Sequence, residues 1–457
     1  MSNSMHSFCN LYRENDELPV FGVTGNVGFV SVLDQMNRGQ LLGRSLTDWL
    51  DSFFPVDHRL NPILVVGAGA CGASAAIELA SQQDRRPVHL IEKSEFPFSR
   101  QFKCNTRWID PSLYEWPSQA WSQLEFPSEK THKSIFKWTG GFSKGVAIKW
   151  LSDFQDWQMR LGDRFVFYKN TYMSEDVLSL AGGALSVPLV TRQDGDLTTS
   201  LETYDCIIVA TGPPREITKF KNYESSGFWD NDDFEKEHSG LDTEDKVVIS
   251  GSGDGGVQDF IRILSRQPSV RHVFSEIDFD GSLVKSSIGE KAMQLERASN
   301  LSPNPKFLES FKEQLHVECE LQVRALLEQT TGLCERIERL CKDRPHETTL
   351  VCSSSHFDCR YALNVFTALL LSISLEDACS KNRPINILYN EKIADIAGPN
   401  HHFLDSTKGK SWDIQLTSGR FIRDANLLVI RHGLEWRGPR KFDQQKVCIK
   451  LPSCLPD

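Results

Sequence analysis

The stretch Ile63–Leu79, ILVVGAGACGASAAIEL, decides the fold: an apolar run stops abruptly at glycines and resumes with helical spacing. This is the pattern of a strand that turns through a glycine loop into a helix. Gly67 permits the tight turn, Gly69 lets the backbone approach a pyrophosphate, and Gly72 lets the helix pack closely on the strand. Ala68 and Cys71 fall within the same loop and helix start, whose N-terminus would face the phosphates. The following apolar segment, VHLIEK, ends in Glu92 and Lys93, and Glu92 stands 20 residues after Gly72. A carboxylate at that distance, at the end of the second strand, can accept from ribose hydroxyls.

The pattern recurs. Lys246–Leu264, KVVISGSGDGGVQDFIRIL, is again a strand, a glycine run (Gly251, Gly253, Gly256) with Asp254 inside it, and an amphipathic helix. The segment VRHVFSE is expected to be its next strand, ending at Glu276, once more 20 residues after the last glycine. Each loop has a later partner. YDCIIVATG ends in Ala210, Thr211 and Gly212, and DANLLVIRHG ends in Arg431, His432 and Gly433. Alternating, strand-like segments precede both, LSVPLVTRQDGDLTTSLETY in the first half and WDIQLTSGRFIR in the second.

These signals predict an α/β protein of two Rossmann-like dinucleotide-binding domains. Gly67 to Gly212 spans 145 residues and Gly251 to Gly433 spans 182, so the second half holds about 37 more. A helical insertion at about 300–345 accounts for them, with Leu321, Leu333, Ile337 and Leu340 at helical spacing. The expected division is an N-terminal extension (1–60) packed on the first domain, a first domain (61–240), a second (241–433) and a tail (434–457). The extension carries a candidate amphipathic helix, QLLGRSLTDWLDSFF, and the acidic stretch NDDFEKEHSGLDTED reads as a linker.

Composition narrows the function classes. With 51 Lys+Arg against 61 Asp+Glu the chain has a formal charge of −10 and no long basic run, which argues against a nucleic-acid partner. Forty per cent hydrophobic and 25% charged residues describe a globular chain. The longest apolar stretch, near Phe366–Ile373, is too short to span a bilayer, and the first 16 residues lack a signal-peptide pattern, so neither a membrane association nor export from the cytoplasm is expected. Twelve cysteines without one CxxC read as reduced, partly buried thiols.

On Gly67/Gly69/Gly72 with Glu92, the Ala210-Thr211-Gly212 closure, and Gly251/Gly253/Gly256 with Glu276, the chain resembles the flavoproteins built from two dinucleotide-binding domains. The resemblance covers about residues 61–433. It implies that the first loop holds the ADP half of FAD, with Glu92 on its ribose and the closure turn near the cofactor, and that the second receives a nicotinamide dinucleotide. The implied activity is an FAD-dependent NAD(P)H oxidoreductase passing electrons to oxygen or an organic acceptor, a monooxygenase among the outcomes. Disulfide reductases of that superfamily carry a cysteine pair that this sequence lacks. Its monooxygenases and reductases usually add a late Gly-Asp that touches the ribityl chain; the 24 residues after Gly433 contain none, so either that return is missing or Arg431–Gly433 does a related job. The alternative is a nucleotide-binding sensor or interaction subunit that turns nothing over, with the helical insertion meeting a protein partner.

Further candidates follow from residue chemistry. In the resembled flavoproteins the stretch matching FSRQFKCNTRWIDPSLYEWP (98–117) runs past the pyrophosphate and isoalloxazine, which implies Arg100 and Arg107 for phosphate or flavin charge and Tyr114 and Trp116 for stacking, against an ordinary packed loop with exposed arginines. In the helix expected over Ser143–Leu161, Val146, Trp150, Phe154, Trp157 and Leu161 form a core-facing stripe. Arg107 and His432 are the catalytic candidates, His432 because it follows a strand end and an imidazole can transfer a proton near neutrality, against a hydrogen-bonded structural role. Cys352, His356 and Cys359, like His401 and His402, do not supply a metal's ligand set, and no metal is expected. Glu276, with no arginine beside it in VFSEIDFDG, predicts NAD(H) over NADP(H).

Overall fold

The computed structural model describes residues 9, 12–13, 18–23, 31–54, 60–82, 86–111, 135–174, 179–181, 184–212, 215–232, 234, 241–277, 281–301, 305–377, 383–398 and 411–435. Tyr114, Trp116, His401, His402 and the tail from 436 lie outside them. The chain divides into two compact units, one of 1–103, 128–214 and 436–457, the other of 104–127 and 215–435. The boundary falls at 214/215 rather than at 240, and the stretch from Cys104, expected in the first domain, belongs to the second unit.

In the first unit the main elements are β1 (Val20–Gly22), α1 (Val32–Phe53), β2 (Ile63–Val66), α2 (Ala70–Gln82), β3 (Val88–Ile91), α3 (Ser143–Leu161), β4 (Phe165–Tyr168), β5 (Thr171–Met173), β6 (Ala184–Gln193), β7 (Asp196–Tyr204) and β8 (Cys206–Val209). Five strands form a parallel sheet in the order β1-β8-β2-β3-β4. Its central strands read as unbroken apolar runs because both faces are covered. Leu64, Val66, Ile207 and Val209 meet Leu185, Val187 and Leu189 of the β6-β7 hairpin on one face. On the other lies α2, with α1 packed against it, and α3 packs around Trp150 and Phe154, both within about 1% of full burial.

The second unit repeats these layers with β9 (Lys246–Ser250), α4 (Asp254–Ser265), α5 (Val270–Glu276), α6 (Gly281–Leu301, broken at Gly289), α7 (Pro305–Gln329), α8 (Leu333–Leu340), β10 (Glu347–Val351), α9 (Ala362–Asp377), β11 (Ile385–Leu388), β12 (Ile393–Ala397), β13 (Trp412–Leu416), β14 (Phe421–Ala425) and β15 (Leu427–Ile430). The parallel sheet runs β11-β10-β9-β15. Val247, Ile249, Leu350 and Val429 join the helices, while Val248, Leu428 and Ile430 meet Trp412, Ile414 and Leu416 of the antiparallel β12-β13-β14 meander.

Two expectations change here. VRHVFSE is the helix α5, not a strand, so Glu276 ends a helix and is exposed. Val270, Val273, Phe274 and Ile277 are buried at helical spacing, which is what sets the element. The helical insertion accordingly runs from 270 to 340, not from about 300, and the strand that follows the glycine-loop helix is β10, residues 347–351. Among the described residues, no helix is long and apolar enough to cross a membrane.

Candidate functional site

In the first unit Gly67, at φ +100°, donates its N–H to Ile91 O at 2.9 Å and sits under the closing turn, so that a Cβ there would come within 2.6 Å of Ala210 O. A Cβ at Gly72 would overlap Gly67 O. Only glycine satisfies both positions. Gly69 differs: nothing lies within 4 Å of its Cβ direction, which leaves open space in front of the N-terminus of α2. A pyrophosphate needs such a space, with amides pointing into it.

Glu92 lies at the end of β3, 7% exposed, with Oε2 accepting from Ala68 N at 2.8 Å and Oε1 from Ser94 N at 3.0 Å. Those bonds fix the carboxylate beside the loop and leave it lone pairs for ribose hydroxyls. Ala210 N donates to Val66 O, and Thr211 and Gly212 (φ +85°) continue the turn half-buried. Cys71 is buried and its thiol is pushed up to about 12 by desolvation, so it stays protonated inside α2. Lys93 and Arg100 are exposed at the edge.

The second loop reproduces the backbone. Gly251, at φ +116°, donates to Val351 O at 3.0 Å and lies against Arg431 O, and a Cβ at Gly256 would overlap Gly251 O. Gly253 has Asp358 O 3.9 Å from its Cβ direction. Asp254, a cofactor-binding candidate of the second loop, accepts from Asn364 Nδ2 at 2.7 Å, Arg360 N at 3.1 Å and Tyr361 N at 3.4 Å, tying the loop to the start of α9. Desolvation raises its pKa despite these bonds.

The residue in the place of Glu92 is Cys352. Glu92 N donates to Tyr168 O and Cys352 N to Leu388 O; Thr171 N donates to Glu92 O and Glu391 N to Cys352 O. The second strand end therefore carries a buried thiol, pushed up to about 12 by desolvation, and no carboxylate. Glu276 does not fill the role.

Arg107, expected near phosphate or flavin, is 2% exposed in the second unit and engaged throughout: Nε donates to Phe228 O at 2.6 Å, Nη1 pairs with Asp259, and Nη2 lies 3.0 Å from Asp232. Arg262 and Arg431 bind the same two carboxylates, Arg262 Nη2 to Asp232 at 2.6 Å and Arg431 Nε to Asp259 at 2.8 Å. Burial would raise the Asp259 carboxyl, but Arg107, Arg431 and Arg262 together hold it well below the usual carboxylate range. Arg107 and Arg431 are thus members of a buried ion cluster, which joins residues from four separate parts of the chain and has no sequence spacing to reveal it. His432 Nε2 lies 2.7 Å from Ser250 Oγ, and partial desolvation lowers its pKa, favouring a neutral, hydrogen-bonded imidazole. The turn Arg431–Gly433 closes the second fold as Ala210–Gly212 closes the first, with Gly433 at φ +84°.

Of the other cysteine and histidine candidates, His356 Nε2 lies 3.2 Å from Glu309, and Cys359 Sγ donates to Ser252 O at 3.4 Å. Among the described residues no group of three His, Cys, Asp or Glu is placed to hold a metal ion.

No protein-family model matches the chain, and no curated protein matches it. Solved structures do. The chain is similar to a bacillithiol disulfide reductase of Bacillus cereus at 11% identity, covering 81% of this chain and 77% of that one with a TM-score of 0.39. It is similar to a cadaverine monooxygenase of Erwinia amylovora, solved bound to FAD, at 11% identity, covering 85% and 84% with a TM-score of 0.39. A third similarity is to the ornithine N-hydroxylase of Kutzneria sp. 744, at 11% identity, 82% and 81% coverage and a TM-score of 0.38.

Proposed function

We propose that the first unit binds FAD, that the second binds a nicotinamide dinucleotide, and that the protein is an FAD-dependent NAD(P)H oxidoreductase. The observation that carries this reading is the first glycine loop: two glycines that tolerate no side chain hold a third facing open space, with Glu92 fixed beside them. FAD fits these residues. The amides at the start of α2 would meet its pyrophosphate, Glu92 its adenosine ribose, and the turn Ala210–Gly212 its further half. When bound, FAD supplies the redox chemistry by which reducing equivalents from a nicotinamide reach oxygen or an organic acceptor.

The second loop supports nucleotide binding by the same backbone geometry, but the preference for NAD(H) expected from Glu276 loses its basis. Cys352 and the serines after it bring no negative charge to the ribose, so a 2′-phosphate meets no repulsion and NADPH is accepted at least as well as NADH. The missing carboxylate also favours a second reading, in which the second fold binds nucleotide weakly and the protein senses rather than turns over. The absorption spectrum of the purified protein, followed by anaerobic titration with NADPH and NADH, separates these outcomes. Flavin bands that bleach are the expected result. Bands that persist with both nucleotides would leave the sensor, and a colourless protein unable to take up FAD would sink the flavin assignment.

A further inference from the structure

Among the described residues, the second parallel sheet ends at β15, whereas the first continues past its closing strand β8 to β1. Registers place Gly22 level with Val209, Val66 and Ile91. Val23, Ala210, Gly67 and Glu92 therefore follow one another along the carboxyl edge of the sheet, and Val23 N donates to Val209 O at 3.1 Å. With strands about 4.8 Å apart, Val23 stands roughly 14 Å from Glu92. A dinucleotide on this edge has only one way to lie. Its adenosine ribose belongs at Glu92 and its pyrophosphate at Gly67–Gly69, so its other half must run past Ala210 toward Val23.

The helix that follows β1 points to the same place. Gly39 packs where a Cβ would overlap Cys71 O, and a Cβ at Gly43 would come within 2.9 Å of Ala75 O, so α1 runs parallel to α2 in close contact. Val32 precedes Gly39 by seven residues, while Ala70 precedes Cys71 by one. The first turns of α1 thus overhang the start of α2 by about six residues, or roughly 9 Å. They extend beyond the glycine loop, and Trp49 of α1 against Phe21 of β1, ring centroids 5.1 Å apart, sets α1 on the β1 side of α2. Ser31 caps this overhang by accepting from Asp34 N at 3.1 Å.

We infer that β1 and the first two turns of α1 form the far wall of the first nucleotide site and hold the non-adenine half of the dinucleotide. On the reading above, that half is the ribityl-flavin portion of FAD. The N-terminal segment is then part of the site, not a cover packed outside it.

Amide hydrogen exchange on the full-length protein tests this with FAD and ADP compared at saturation. FAD should slow exchange at Val23 and across Leu33–Met36 at least tenfold, and ADP, which stops at the pyrophosphate, should not. Two variants give a second readout. Gly39→Leu, which displaces α1, should weaken FAD about tenfold with ADP affinity kept within twofold. Ser31→Ala, which frays the overhang without touching the core, should weaken FAD about fivefold. Equal protection by the two ligands, no protection by either, or equal loss of both affinities would overturn the inference and leave α1 a packing element. A protein that binds ADP but not FAD would end the flavin reading instead. NAD+ then replaces FAD in the exchange measurement, and protection of the same amides decides.

Discussion

The two glycine-loop helices differ most at one position. Counting three residues on from the last glycine of each loop gives Ala75 in α2 and Asp259 in α4. In the first unit that position is covered by another helix, with Gly43 near Ala75 O and Gly39 near Ala75 N. In the second it carries a carboxylate bound by Arg107, Arg262 and Arg431. The backbone around both is the same: Ala210 N donates to Val66 O and Arg431 N to Ser250 O, and at the opposite end of the strands Asp205 N donates to Pro62 O and Asn426 N to Lys246 O. One scaffold has been sealed once by close apolar packing and once by buried charge. The phosphate loop depends on the shared backbone, while the side chains around it are free to diverge.

Asp259→Ala should be the most damaging, since it leaves three buried guanidinium groups facing a single remaining carboxylate, Asp232. A loss of about 3–5 kcal/mol in the second unit is expected in urea unfolding, while Asp259→Asn restores shape but not charge and should recover little of it. A variant as stable as the parent would show that the cluster is dispensable.

Acid should separate the two units. Desolvation lowers the pKa of His316, held between Phe357 N and Tyr389 Oη, to about 4. Its folded value lies below its unfolded one, near 6.5, so the stability it contributes is complete above pH 6.5 and is lost as pH falls toward 4, about 3 kcal/mol in all. Asp34 in α1 is the opposite case: desolvation, opposed by Arg38, pushes it up to about 6, so the first unit gains stability as pH falls from 6 toward the unfolded value near 3.8. Unfolding followed at pH 7 and 4.5 should show the second unit weakening more, and His316→Gln should remove that part of the slope.

Gly69→Trp should leave the melting temperature nearly unchanged, because its side chain enters open space, yet reduce FAD affinity about 100-fold by occupying the pyrophosphate's place. Flavin fluorescence on release and calorimetry together check both halves of that statement. Cys352→Glu, which gives the second strand end the residue of the first, should shift nucleotide preference about tenfold toward NADH in fluorescence titrations. The smallest effect belongs to the thiols. Cys71 and Cys104 are buried, and replacing each by Ser in a protein that still folds should leave the rate of flavin reduction within about twofold, where loss of reduction with flavin retained would reveal a cysteine relay.

What could be read from the residues was local. The glycine loops, the strand ends at Glu92 and Gly212, α3 and the two hairpins each rest on a few consecutive residues whose spacing is itself the signal. The N-terminal strand was not legible because VFG is a three-residue apolar run whose partner lies nearly 190 residues away. α5 was misread for a different reason: the 20-residue spacing of the first half suggested a strand, although Val270, Val273, Phe274 and Ile277 already carried a helical period. The ion cluster could not be foreseen, since Arg107, Asp232, Asp259 and Arg431 meet only once the second unit has folded.

The pairing of Val20–Gly22 with Cys206–Val209 also sets a timetable for synthesis. At roughly 5–20 residues per second a ribosome takes about 10–40 s to travel from the first strand to its partner. Throughout that interval Val20, Phe21, Leu42, Leu46 and Leu50, all buried at the end, have no β8 to join. The first unit cannot close its sheet until the chain has passed residue 209, so Val20–Gly22 emerges well before its partner and is among the last segments to be secured. Contacts of such long sequence separation slow folding, and the apolar residues left waiting are the natural clients of a chaperone that grips nascent chains.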